Sequence, residues 1–301
     1  MSLMLLDSGS LWYRAYYGMP DSLVAPDGTP VNAIRGYLDM SARLISMYRP
    51  SRLVACLDGD WRPTWRVELF PDYKANRLEE DGEGEEEPDL LTPQIPILLD
   101  VLDAFGIQIV GADDYEADDV MATYAAKEPG PIRIVTGDRD LFQLVNEKKD
   151  VKVVYLAKGL TNHDLVDTAW IANKYQIPGD RYALFAMIRG DASDGLPGLK
   201  GIGEKGAALL ANSYSDMGAV IKAAKNGDTQ LKPALVKRIL ESEDYAAIAP
   251  TLVHCALDVP IPQIDHELKS EKVNTRLVKK MQEEYGLGAS VDRLLSAIES
   301  R

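Results

Sequence analysis

The sequence predicts an α/β fold built on a parallel sheet and followed by a helical region. Two observations carry this. Short β-prone runs, LMLLD (3–7), LVACLD (53–58), IQIV (107–110), IRIVTGD (132–138) and VKVVYL (151–156), alternate with amphipathic helical stretches such as AIRGYLDMSARLISMY and EADDVMATYAAK. Apolar strands separated by helices are the pattern of a parallel sheet covered on both faces. From about residue 161 short helices separated by Gly and Pro take over, with no convincing strand. Residues 1–160 are therefore expected to form one α/β domain, and residues 161–301 a helical region.

Taken in order, the strands end in acids. LMLLD closes on Asp7, LVACLD on Asp58, and IRIVTGDRD on Asp138 and Asp140; IQIV is followed by GADDYEADDV. Within that last segment Glu116 and Asp119 share a helix face, with Asp118 beside them on the first turn. Ligands of an open parallel sheet bind at the carboxyl ends of its strands, which is where these acids fall. A single Asp after a strand is more often a turn residue, and first-turn acids suit a helix dipole. Gathered at one edge they would repel each other, and the cations nearest in sequence, Arg133 and Arg139, are too few. Hard divalent ions with oxygen ligands would neutralise them, and without metal several should have raised pKa values. Asp191 and Asp194, from GDASDG, join the set. By position, Asp7, Asp58, Glu116 and Asp118 form one metal site, and Asp119, Asp138, Asp140, Asp191 and Asp194 surround a second. Two ions roughly 4 Å apart suit in-line displacement at a phosphodiester. Arg139 is expected to point away and pair locally.

Composition narrows the class. With 46% hydrophobic and 27% charged residues, and no window as long as a membrane span, the chain reads as soluble. The start, MSLMLLDSGS, lacks a basic n-region, and Cys56 and Cys255 are too few for a disulfide scaffold or a cysteine zinc site, so a reducing cytoplasmic setting is expected. A net charge of −14 counts against nucleic acid at first sight. That objection weakens if the acids hold cations, because phosphate binding follows the local field.

Two segments carry the cations a phosphate needs. In GLPGLKGIGEKGAALL, Gly201, Ile202 and Gly203 are expected to form a tight hairpin before a helix near Glu204, flanked by Lys200 and Lys205; this is a strong helix-hairpin-helix signal over residues 190–212. In WRPTWRVELFPDYKANR, residues 61–77, Arg66, Lys74 and Arg77 can overhang the cleft and Tyr73 can stack on a base, while Arg62 reads as a solvated surface residue. The segment LEEDGEGEEEPDL, residues 78–90, reads as a mobile acidic tip.

Together, LLDSGSLWYRAYY, DYKANR, YEADDVMAT, TGDRDLFQL and GDASDGLPGLKGIGEKGA resemble the 5′ nuclease domain of bacterial DNA polymerase I and the stand-alone flap endonucleases, across roughly residues 3–210. The resemblance implies a PIN-like α/β core, a helical arch over about residues 61–100, and a helix-hairpin-helix region that also binds a monovalent cation such as potassium. It implies a structure-specific 5′ nuclease, acting in primer removal and repair on branched or flapped DNA with two or more magnesium or manganese ions. The family's acidic ligands match Asp7, Asp58, Glu116, Asp118, Asp119, Asp138, Asp140, Asp191 and Asp194, and its arch-base cations match Lys74 and Arg77. Arg14 and Arg66 fall on further basic positions. The chain departs from the family in reading Ser8, Gly9 and Ser10 after Asp7, and in an acidic arch that would disfavour long threaded flaps. A free-standing, monomeric, nucleoid-associated enzyme is expected, in contact with replication or repair proteins. The competing readings are a junction-binding protein with structural acids and a PIN-type ribonuclease.

Overall fold

The computed structural model describes residues 2–78, 88, 90–263 and 265–301. The acidic tip falls almost entirely on residues 79–87 and 89, so its reading as an arch element lies outside the described residues.

Six strands, β1 (Leu3–Asp7), β2 (Arg52–Cys56), β3 (Gln108–Val110), β4 (Ile132–Thr136), β5 (Val151–Tyr155) and β6 (Asp164–Val166), form one sheet in the order β3-β2-β1-β4-β5-β6. The first five are mutually parallel, as expected, and β6 pairs antiparallel with β5. The expectation of no strand beyond residue 161 is thus corrected. β6 is only three residues, DLV, too short for a period-two pattern to register, and its place on the sheet edge is set by pairing rather than propensity. In β1, Leu3 and Leu5 enter the core on one face of the sheet and Met4 and Leu6 on the other, all fully buried. A strand buried on both faces needs apolar residues throughout, and LMLL supplies them.

Helices α1 (Ser8–Gly18), α2 (Asn32–Tyr48), α3 (Thr64–Leu69), α4 (Gln94–Ala104) and α5 (Ala117–Lys127) belong to the first half. They are followed by α6 (Thr168–Tyr175), α7 (Tyr182–Arg189), α8 (Glu204–Ser213), α9 (Met217–Lys225), α10 (Pro233–Leu240), α11 (Glu243–Val253), α12 (Thr275–Glu284) and α13 (Ala289–Glu299). Helices α6 to α9 and α11 share the apolar core on the α5 side of the sheet. The last two return to the opposite side, where Val291, Leu294, Ala297 and Ile298 of α13 are buried with residues of α2. Arg293 reinforces that contact with a bidentate pair to Asp39 at 2.8 and 2.9 Å.

Two glycines bring the GDASDG loop to the sheet edge. Gly190 ends α7 at φ +77°, where a side chain would also strike the Leu196 carbonyl at 2.6 Å. Gly195, at φ +71°, lies so close to the arch base that a Cβ would sit 2.5 Å from the Asp72 carbonyl oxygen. That closeness lets the Lys74 N–H donate to the Asp194 carbonyl at 3.0 Å, joining DYKANR to GDASDG.

Candidate active site

The carboxyl edge of the sheet opens into a cleft of about 830 Å³. Its floor is made by strand ends and helix starts. Asp7 ends β1 and caps α1, accepting from the Ser10 N–H at 3.1 Å and from Thr136 Oγ1, at the end of β4, at 2.6 Å. Asp58 follows β2 and accepts from the Ala117 N–H, the first residue of α5, at 2.7 Å. The two meet over Gly9: a Cβ there would lie 3.6 Å from Asp58 Oδ2 and 3.7 Å from Asp7 Oδ1. Asp118 and Asp138 complete the lining on this side.

Burial, with like charge added, raises Asp7, Asp58 and Asp118. Burial pushes Asp7 up to about 7, against the hydrogen bonds from Thr136 and Ser10, and the charges of Asp58 and Asp138 add to it. Asp118 stands well above the usual carboxylate range, from burial and then from Asp138, Asp7 and Glu116. Burial between the cleft walls likewise raises Asp58, although its carboxylate opens to the cleft. On the far side Asp140 is raised well above the range by burial and by Asp138, Asp191 and Asp194, and Asp194 is pushed up to about 6, chiefly by burial. Asp191 goes the other way: burial is outweighed by its hydrogen bonds from Ser193 and Arg139, and its pKa is lowered.

The cations differ from expectation. Lys74, in a left-handed backbone at φ +51°, is buried with its ammonium on Glu116 and 3.3 Å from the Trp61 carbonyl. Burial disfavours its charge, but Glu116 and Asp194 outweigh that and raise its pKa, so it stays an ammonium at neutral pH. Arg77 donates to Asp194 Oδ1 at 2.5 Å and to the Ser193 carbonyl at 3.3 Å. Arg139 does not point away: it lines the cleft and donates to Asp191 Oδ2 at 2.7 Å. The shortage of cations was therefore only a shortage in nearby sequence. Lys74, Arg77 and Arg189 arrive from other segments to join Arg139, and among the described residues no three acids form a finished ion shell.

Three assignments are corrected outright by packing. Asp119 is fully buried behind the cleft wall, where Arg66 forks onto both its oxygens at 2.7 Å and the Ala256 N–H donates to it at 2.7 Å. Being three residues after Glu116, it turns back to the Glu116 N–H as the partner in a capping box and is not brought to the second acids. Arg66 is 3% exposed, lies over the Trp65 ring at 4.2 Å and also holds Glu116 at 2.9 Å, so it cannot reach DNA from this position. Tyr73, equally buried, donates its hydroxyl to Glu116 at 2.7 Å and has no face free for a base. Arg62, expected to be solvated, instead staples the arch base by donating to the Tyr73 and Pro71 carbonyls at 2.7 and 2.6 Å.

Glu116 itself is wrapped by Arg66, Tyr73 and Lys74. The acids that could hold hard cations are thus Asp7, Asp58, Asp118 and Asp138 on one side and Asp140, Asp191 and Asp194 on the other. An all-oxygen donor set, the raised Asp7, Asp58, Asp118, Asp140 and Asp194 within it, and a buried Asp140 Oδ1 without a hydrogen-bond partner fit divalent metal. Arg14 lines the cleft mouth with Tyr13 and Tyr17, which sequence reasoning passed over. Their spacing in LWYRAYY, on one helix starting at the cleft floor, was the available signal. Arg189 was also missed; nothing in IRGDASDG distinguishes an inward arginine from a C-terminal helix cation.

Beside the cleft, the loop after α7 leads to α8, with Gly203 as its N-cap and Gly201 at φ +68°. Lys200, Lys205, Gly201 and Gly203 are exposed. Ile202 is 5% exposed and its N–H is used by the Leu199 carbonyl at 2.9 Å, so it shapes the hairpin from inside. Arg238 steadies the turn by donating to the Gly201 carbonyl at 3.0 Å.

A parallel sheet with carboxylates from several strand ends in one cleft, arch-base cations over them and a glycine hairpin alongside defines an acid-site nuclease. The N-terminal resolvase-like domain of 5′-3′ exonucleases matches residues 2–176, and their C-terminal SAM fold matches residues 177–276. The chain belongs to the 5′-3′ exonuclease family. It is 48% identical to a 5′-3′ exonuclease of Streptomyces coelicolor over 98% of this chain and 99% of the relative, and 40% identical to one of Mycobacterium tuberculosis over 99% and 98%. DNA polymerase I of Mycobacterium bovis is 32% identical over 99% of this chain, which covers 32% of that protein. In fold the chain is similar to the bacteriophage T5 D15 flap endonuclease solved with DNA and metal ions, with a TM-score of 0.65 at 18% identity over 100% of this chain and 98% of that one.

Proposed function

We propose that this chain is a divalent-metal-dependent 5′-3′ exonuclease and flap endonuclease that hydrolyses phosphodiesters of branched or flapped DNA. The observation that carries the reading is the meeting of Asp7 and Asp58 over Gly9, beside Asp118 and Asp138, at the carboxyl edge of a parallel sheet. Asp7, Asp58, Asp118 and Asp138 would hold one ion and Asp140, Asp191 and Asp194 another. Magnesium or manganese bound there supplies an activated water and neutralises charge on the reacting phosphate.

The chain's own residues do the rest. Lys74 and Arg77 present fixed positive charge above the acids, where it steadies the added negative charge of a phosphate under attack. Their hold on Glu116 and Asp194 keeps that charge in place before substrate arrives. Arg14, Tyr13 and Tyr17 at the mouth suit an incoming 5′ end, by ion pairing and stacking. Lys200, Lys205 and the backbone at Gly201 and Gly203 suit duplex phosphates without reading base sequence, and the reading includes a potassium ion at this hairpin. The reading includes a monomer that works in the cytoplasm at the nucleoid with replication or repair proteins, residues 1–160 carrying the chemistry and residues 161–301 gripping duplex.

Cleavage of a 5′-labelled flap, a 3′ flap and a single-stranded RNA, each with magnesium or manganese, tests the reading. Release of short 5′ fragments from the 5′ flap alone is expected, with Lys74→Ala at least about a hundredfold slower. Binding of junctions without cleavage would favour the junction-binding alternative, and preferential RNA cleavage the ribonuclease.

A further inference from the structure

The second group of acids holds a buried arginine in ion-pair range, whereas Lys74 and Arg77 lie near the first group without pairing to it. Arg189 ends α7, and its guanidinium turns inward, with the side chain 8% exposed. Its Nη2 lies 3.8 Å from Asp140 Oδ1 and 3.6 Å from Asp191 Oδ2, too far for a hydrogen bond to either. Both Nη atoms, and Asp140 Oδ1 itself, are buried without a hydrogen-bond partner among the described residues. The Phe185 ring lies 5.4 Å from the guanidinium. Arg139 reaches the same Asp191 oxygen from the solvent side at 2.7 Å. A guanidinium buried with unmatched N–H groups is unfavourable unless nearby charge holds it. Asp140 and Asp191 supply that charge, so Arg189 is a counter-ion there and not a fitted partner.

We propose that Arg189, assisted by Arg139, is a resident counter-cation lodged between Asp140 and Asp191, and that a divalent ion binding these acids must compete with it. The inference rests on the metal-dependent reading above. The first group differs: among the described residues Asp7, Asp58, Asp118 and Asp138 form no ion pair, so an ion there displaces no paired cation. The two sites are therefore unequal before DNA arrives, the first tight and the second held back by an arginine. Competition of this kind is reciprocal, and couplings of ordinary size change affinity roughly 5- to 150-fold.

Calorimetric titration of Mn2+ into the metal-free full-length chain, without DNA, tests this in the wild type, Arg189→Met and Arg139→Gln. The wild type is expected to show one tighter and one weaker Mn2+. Arg189→Met should tighten the weaker site about tenfold or more and leave the tighter one unchanged. Arg139→Gln alters a side chain 41% exposed and leaves Arg189 between Asp140 and Asp191, so it serves if Arg189→Met does not fold without metal; its weaker site should tighten by a smaller factor. A weaker site unchanged or further weakened in the folded variants overturns the proposal, while wild-type Mn2+ binding leaves the metal-dependent reading standing. No Mn2+ binding by any of the three proteins overturns both.

Discussion

Neighbouring aspartates in this chain do opposite work. Asp118 faces the cleft and is held neutral-prone by burial and like charge, whereas Asp119 is the fully paired anchor of Arg66. Removing one partner of a buried ion pair costs about 3–5 kcal/mol, so Arg66→Met should lower the free energy of denaturant unfolding by that amount. Asp118→Asn should leave the metal-free protein as stable or more so and weaken Mn2+ binding; Asp119→Asn should do the reverse, destabilising the fold with Mn2+ affinity little changed. The raised acids also set a pH dependence. Asp7 at about 7 and Asp194 at about 6 lie above the unfolded value of 3.8, so between those limits the folded chain keeps protons that the unfolded chain has released. Their contribution is fully present below the unfolded value and is lost as pH rises through the folded ones. In chelator, melting should therefore occur at a lower temperature at about pH 8 than at about pH 6, and Asp7→Asn should reduce the difference. An equal melting temperature at both would contradict the crowding described for the cleft.

At the scale of elements, the five parallel strands were legible because each is a short, mainly apolar run between helical stretches, and the acids after four of them pointed to one edge. β6 was not legible, since three residues take their conformation from the neighbouring strand. The metal-site acids were readable as a set, but not which of them faces outward. That is decided by partners distant in sequence, as Arg66 decides for Asp119 across 53 residues. The same holds for the cations, because Lys74 and Arg139 gain their roles only when Gly195 and Gly190 bring the GDASDG loop against the arch base and β4. Helix α13, beyond the family-matched region, buries Val291, Leu294, Ala297 and Ile298 against α2. Burying a large apolar side chain contributes about 1.5–3 kcal/mol, so a chain truncated after residue 288 should lose most of its stability, measured as a large fall in melting temperature.

For the whole molecule, a net charge of −14 is compatible with the proposed action on DNA because phosphate binding follows the local field. Acids gather at the cleft, where bound ions would neutralise them, while in the helical region Lys200, Lys205, Lys222 and Lys232 alternate with acids such as Glu204, Asp216 and Asp228. Composition alone could not show this. The proposed function joins the two halves: the hairpin would grip duplex, and the chemistry would take place at the sheet edge. The most direct test is the rate of fragment release from a 5′-labelled flap by wild type and Asp118→Asn, in magnesium and in chelator. Cleavage by the wild type in magnesium, lost in chelator and lost in a folded Asp118→Asn protein, is the predicted result; cleavage by Asp118→Asn at the wild-type rate, insensitive to chelator, would contradict it.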